Sequence, residues 1–386
     1  MQNTTQPYLA YHLSGRPFDL GLIGFAGSLP TLFLALPGGV WVEHLDKRKT
    51  VIILQTVMMV QALTMAFLVL TGLIQVWHII VLSFVLGMAT SIEITARQAM
   101  LVELVGREAL PNAIALQSTI FNAARVLGPS LLAPFVLLIR SNGEGWAFLA
   151  NGFSFLFVII GLFFVRTRHK VGSESTSINL LVELREGQGY IRHTASVGLL
   201  IMIAALLGFI GFPIVQQIPV VARDVLGQIG DTNAIIAARN SALYSSQGVG
   251  ALIAAVFLSL NSSFKKKGVL LTIGQYTFIL AMSALAFTGN LTITMLLFAL
   301  MGWGSVTQLA TMNTLIQLQV PNGLRGRVFS TYLWALQGVA PLGSLLIGWM
   351  TQHWNLQTTA LICGLVCAMA ISLIHLRYPQ IRRQQA

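Results

Sequence analysis

Charge is what this 386-residue chain has least of: Asp, Glu, Lys and Arg make up 9% of it, against 55% hydrophobic residues. Mean hydropathy is +0.76. A water-facing surface needs about a quarter of its residues charged, so a soluble globule is excluded. Cysteine is nearly absent. Cys363 and Cys367 lie four apart on one helical face, where the geometry does not suit a disulfide, and they read as small core residues rather than metal ligands. There is no Gly-rich phosphate loop with its Lys, no HExxH zinc motif, no pair of acids within the apolar segments and no Ser–His set there. These gaps argue against ATP hydrolysis and against an intramembrane hydrolase, so the chain is read as neither an enzyme nor a carrier of cofactor or metal. The first twenty residues hold no apolar core after a basic start, so no secretory signal is expected.

What fills the chain instead is apolar sequence, in eleven long stretches at residues 20–42, 51–70, 77–95, 111–138, 146–165, 197–218, 241–260, 269–287, 291–316, 329–350 and 358–376. A helix needs about 20 apolar residues to cross ~30 Å of hydrocarbon, and the stretches meet that length repeatedly. Membrane barrels alternate over about ten residues, a different pattern. The reading is an all-α polytopic membrane protein. Its formal charge of +11 does not suggest nucleic acid, because the basic residues gather on no polar domain interleaved with aromatics. They sit in turns. One alternating set of turns and ends, among them Lys47–Lys49, Arg97, Arg107, Arg166–Lys170, Lys265–Lys267, Arg325, Arg327 and the C-terminal arginines, holds 18 of the 23; Arg16, Arg140, Arg223 and Arg239 lie in the other. By the positive-inside rule the first set, and the C-terminus with it, is cytoplasmic, facing anionic lipid headgroups.

The one long polar connection, residues 166–196, parts five apolar stretches from six. This divides the chain into a first half at 1–165, a central cytoplasmic loop at 166–196, a second half at 197–377 and a tail at 378–386. The halves resemble each other. KRKTVIIL at 47–54 matches KKKGVLLT 218 residues later, and RVLGP at 125–129 sits 212 residues before QGVAP. Two similar offsets of one sign mean a parallel repeat, as in transporters whose halves are related by an axis along the membrane normal. The counterpart of 197–218 then lies mostly ahead of Met1. Residues 8–13 read as its last turns, so about eleven of twelve helices are expected, with the first largely absent.

Between the first two stretches the chain reads GVWVEHLDKR (39–48), and later ARQAMLVELVGREALPNAIALQSTIFNAARVLGP (96–129). The first resembles the signature loop of the major facilitator superfamily, with Glu43 where the family usually has Asp and Asp46 where it usually has Gly. The second resembles the bacterial drug and siderophore exporter branch, which includes enterobactin exporters and macrolide efflux proteins. The resemblance implies two helical halves that rock about a central site in a bacterial inner membrane, exporting a small organic molecule by alternating access. It implies a monomer driven by an ion gradient, taken to be protons. An importer of the same superfamily and a non-transporting remnant are the alternatives. In the signature loop, a carboxylate at the end of a helix can accept hydrogen bonds from the N-terminal N–H groups of a neighbour, here most plausibly the helix at 329–350. Gly39, Glu43, Asp46, Lys47 and Arg48 are therefore the expected conformational latch.

Ionisable groups at membrane depth cost ~2.5–3.5 kcal/mol at a helix centre, so each needs a partner or a task. Arg125 lies about 14 residues into its stretch, ~21 Å along the axis, and Gln337 is its repeat counterpart. A cavity with one cationic and one neutral wall suits an anionic or catechol-rich cargo; the alternative is an arginine bonded to backbone carbonyls. Glu93, four residues before Arg97, reads as an i,i+4 pair and also as the available proton carrier. Asn122, Gln216, Gln217, Gln247, Gln308, Asn313 and Gln317, like Gln337, can hydrogen-bond a polar cargo or join helices. Trp303 and Trp334 are candidates to stack on a ring.

Overall fold

A computed structural model describes residues 2–130, 143–165, 180–261, 264, 266–321 and 324–379, with backbone only at 35–44, at 180–185 and over much of 102–130. The described chain is helical nearly throughout and runs as α1 (Gln2–Ser14), α2 (Pro17–His44), α3 (Lys47–Leu70), α4 (Val76–Ser130), α5 (Gly143–Phe164), α6 (Leu180–His193), α7 (Ala195–Val225), α8 (Asn233–Leu260), α9 (Lys267–Phe287), α10 (Leu291–Gln319), α11 (Arg325–Trp354) and α12 (Leu356–Arg377). Among the described residues, ten of these are long and apolar enough to cross a membrane, α1 and α6 being the exceptions. Short polar side chains set several starts. Asp46, Thr232, Asn290 and Asn355 each accept from a backbone N–H two or three residues on, at 2.9 to 3.4 Å. Such caps satisfy N–H groups that a helix start leaves without partners, each for about 1 kcal/mol.

Four features depart from the sequence-based boundaries. The turn expected at 96–110 is helical, so α4 is continuous over the end of one apolar stretch and the start of the next. Gly106 is the only helix-weakening residue before Pro111, which leaves little to stop the ladder. Second, α8 begins eight residues ahead of the apolar stretch at 241–260, because Thr232 caps it. Third, the polar connection contains the helix α6, whose apolar and polar residues fall on opposite faces. Fourth, α7 extends past its apolar stretch to Val225, and residues 2–14 are helical in full.

Prolines shape the interior of two spans. In α7 the helix widens to a π turn at Leu207–Gly211 and breaks at Gln216 and Gln217; in α11 it widens at Trp334–Gly338. Pro213 and Pro341 have no N–H for the carbonyls of Phe209 and Gln337, four residues back, so the ladder re-forms locally with a wider turn. The widened turns pack on each other. A Cβ on Gly208 would stand 1.9 Å from the Leu336 carbonyl oxygen, and one on Gly343 the same distance from that of Phe209. Only glycine lets these backbones meet, the small-residue packing expected where lipid supplies no hydrophobic drive between helices.

The packing places the halves against each other along two seams. Helix α2 packs on α4 and α11, α3 on α4 and α5, α4 on α8, α8 on α10, and α9 on α10 and α12. The seams are thus α2 with α11 and α4 with α8. Helices α8, α9, α10 and α12 start 213 to 220 residues after α2, α3, α4 and α5, the spacing of the sequence repeat.

Candidate functional site

The end of the bundle where α3 and α11 begin, at Lys47–Lys49 and Arg325–Arg327, is its basic end. From there a cavity of about 1030 Å³ runs between the halves, walled by α1, α2 and α4 on one side and by α7, α8 and α11 on the other. Gln98 and Gly326, both exposed, mark the basic end, while Leu20 and Ile23, 2% and 7% exposed, lie at the other. The wall from α2 and α4 carries Ser28, Thr31, Ser83, Thr90 and Ser91, with Thr95 and Gln98 toward the basic end; the facing wall carries Gln216, Tyr244, Trp334 and Gln337. No carboxylate lines the cavity among the described residues, and Arg327 is its one charged side chain there, ion-paired with Glu186 of α6.

The opposite end is closed by contacts between α1 or α2 and the second half. The Tyr8 hydroxyl donates to the Asn233 carbonyl at 2.9 Å, and the Tyr11 hydroxyl donates to Asp224. Arg223 donates to the Tyr11 carbonyl at 3.3 Å and stands 5.3 Å from its ring centre. The Phe18 N–H donates to Gln352 at 3.2 Å. Just beyond lies a second cavity of about 730 Å³ bordered by Arg16, Asp224, Gln352 and Trp354.

Of the residues expected to form a cavity, Gln216, Gln337 and Trp334 share this wall. Gln216 accepts from the Ser344 hydroxyl at 3.3 Å and lies against Gly24, so it touches both halves. Gln217, 1% exposed, and Gln308 are buried away from it; Gln247 packs through its carbonyl on Gly302, Trp303 stands 6.4 Å from Phe257, and Asn313 is also outside the wall. The side chains of Asn122, Arg125, Gly39 and Glu43 lie outside the described residues. In the signature loop, Asp46 caps α3 at Lys49, and Arg48 donates to the carbonyls of Leu162 and Phe163, both at 2.8 Å. Arg48 thereby closes the C-terminus of α5 within its own half. Lys47 opens α3 beside it.

Glu93 is buried off the cavity, accepting from Gln55 at 3.0 Å and lying 3.3 Å from Arg97 Nε. Sequence reasoning missed Glu144, buried in the first turn of α5 and 3.5 Å from His12. Its place just ahead of an apolar stretch reads as a loop until α5 is seen to start at Gly143. The hydroxyl wall was missed as well, because Ser and Thr are unremarkable in apolar helices.

A hydroxyl-lined cavity between two repeated helical halves is the architecture of a membrane transporter, and a family model described as a transmembrane secretion effector matches residues 1–386. The chain belongs to the major facilitator superfamily. This makes it a multi-pass membrane transporter and not an enzyme. The multidrug efflux pump Tap of Mycolicibacterium fortuitum is 23% identical over 364 residues, 93% of this chain and 87% of that protein. Macrolide efflux protein A of Streptococcus pyogenes is 23% identical over 368 residues, covering 92% and 88%. Among solved structures, the nucleoside transporter NupG superposes with a TM-score of 0.75 at 10% identity, over 98% of this chain and 94% of that one. At that identity the superposition shows the fold alone.

Proposed function

We propose that this superfamily member exports a small organic molecule, drug-like or siderophore-like, across a bacterial inner membrane by alternating access. The observation that carries the reading is the interhalf cavity, exposed at the basic end and closed at the other by the Tyr8 and Tyr11 contacts. With the basic end cytoplasmic, this is the loading state of an exporter, and the likeness to efflux pumps supports that direction. The halves at 1–165 and 197–377, joined through 166–196, rock about the α2–α11 and α4–α8 seams as a monomer. Glu93, buried near the basic end, is the carboxylate offered for proton coupling, and Glu43 with Asp46, Lys47 and Arg48 the latch. In everted membrane vesicles, a pH gradient should drive uptake of a fluorescent cationic dye or of a labelled macrolide. Uptake into right-side-out vesicles under the same gradient, with none into everted ones, would make the protein an importer. No movement in either would overturn the transport reading.

A further inference from the structure

Five of the six hydroxyls on the α2–α4 wall, all but Thr95, share a property that their count does not show: their protons are already committed. Ser28 donates to the Gly24 carbonyl at 2.5 Å, Ser83 to Ile79 at 2.6 Å, Thr90 to Leu86 at 2.7 Å and Ser91 to Gly87 at 2.7 Å. Because the Ser91 proton goes to Gly87, Thr31, 2.7 Å away, is the donor in their mutual bond. Ser83 also accepts from Gln6. A hydroxyl has one proton and two lone pairs, so the stretch of wall from Ser28 and Thr31 to Ser83, Thr90 and Ser91 faces the cavity with lone pairs only, while Thr95 and the Gln98 amide keep donors nearer the basic mouth. For a hydroxyl to donate to a cargo it must abandon a carbonyl of its own helix, leaving that carbonyl without its bond in a low-dielectric interior.

The remaining groups sharpen the selection. The opposite wall supplies donors, in the amides of Gln216 and Gln337 and the indole N–H of Trp334, with a ring face for stacking. The one charged side chain in the wall, Arg327, is balanced by its pair with Glu186. Among the described residues nothing in the wall attracts an anion strongly, and the α2–α4 wall from Ser28 to Ser91 serves only a partner that brings its own protons.

We propose that the substrate is oriented by an edge bearing O–H or N–H donors against Ser28, Thr90 and Ser91, with its apolar ring system toward Trp334; the α2–α4 wall discriminates against molecules whose donors are capped. This deepens the transport reading above and rests on it.

The test uses purified full-length protein and two probes: one fluorescent aromatic dye carrying a vicinal diol, and the same dye with the diol as its dimethyl ether. Binding is followed by anisotropy and uptake by everted vesicles. The diol should bind about tenfold more tightly, two neutral hydrogen bonds' worth. Thr90→Val with Ser91→Ala should bring the two probes to equal affinity by weakening the diol alone, while Trp334→Ala weakens both alike. Equal affinity for diol and ether in the unaltered protein, or a preference that survives Thr90→Val/Ser91→Ala, would overturn the assignment of the wall. Failure of both probes to bind or move would sink the transport reading itself, a separate result.

Discussion

Gly21 of α2 lies directly on Gly348 of α11: a Cβ built on Gly348 would come within 3.0 Å of the Gly21 Cα, and one on Gly21 within 2.5 Å of the Ser344 carbonyl oxygen. This contact joins the two halves at the closed end, between the large cavity that reaches Leu20 and the smaller one that begins at Pro17. A side chain there acts as a wedge. Overpacking typically costs 1–3 kcal/mol, enough for about a tenfold shift between two states of similar energy. Gly21→Leu is expected to favour the state open at the far end. Thiol labelling at Thr31→Cys should then become faster from the side opposite the basic end and slower from the basic end, with export reduced about tenfold. Unchanged labelling would show that the contact does not set the state.

Arg48 ties the start of α3 to the end of α5 through two carbonyls. These bonds lie at the bundle surface, so their joint contribution is discounted to about 1–2 kcal/mol. Arg48→Ala should lower the thermal unfolding midpoint in detergent by a few degrees, and Arg48→Lys should recover only part of it, since an ammonium cannot present the guanidinium's parallel donors.

Glu93→Gln keeps the shape and the neighbours of a buried carboxylate while removing its charge. If the coupling proposal holds, the variant binds dye as tightly as the parent but loses export driven by a pH gradient. Full gradient-driven export by Glu93→Gln would leave Glu93 as the structural partner of Gln55 and Arg97.

In the turn between α7 and α8, the Arg239 guanidinium donates to both oxygens of Asp231 and holds its carboxyl below the usual carboxylate range, helped by the Gln228 N–H. A depressed carboxylate pKa stabilises the fold at pH values above the unfolded value of about 3.9, and that stabilisation is lost as the pH falls through the folded value. The difference in unfolding midpoint between the parent and Arg239→Gln should therefore be level from about pH 5 to 8 and shrink below about pH 4. A difference that grows on acidification would refute the assignment.

That this is a helical membrane protein with a repeated plan is legible in one dimension, because those properties are set by local quantities: the length of apolar runs, the side on which basic residues fall and the offset between similar segments. The sequence also placed Gln216, Gln337 and Trp334 among the candidates, since a polar or indole group in an apolar helix is visible in one dimension. It fixed helix ends less well. The junction at 96–110 is helical because only Gly106 weakens the helix there, whereas α8 starts early because of one threonine.

Which polar residues meet depends on how the helices pack. Gln308 and Asn313 are as polar as Gln337 on paper, yet α10, which carries both, packs on α8 and α9 and lends no residue to the cavity wall. The partners of Arg48, the carbonyls of Leu162 and Phe163, also come from a helix more than 100 positions away. The acceptor wall is wholly a product of folding: serine and threonine hydroxyls become one-sided when helix carbonyls four residues back take their protons and α2 and α4 bring them to a common face. Which end of the bundle is closed was likewise settled in three dimensions, by bonds from Tyr8 and Tyr11 to residues more than 200 positions away.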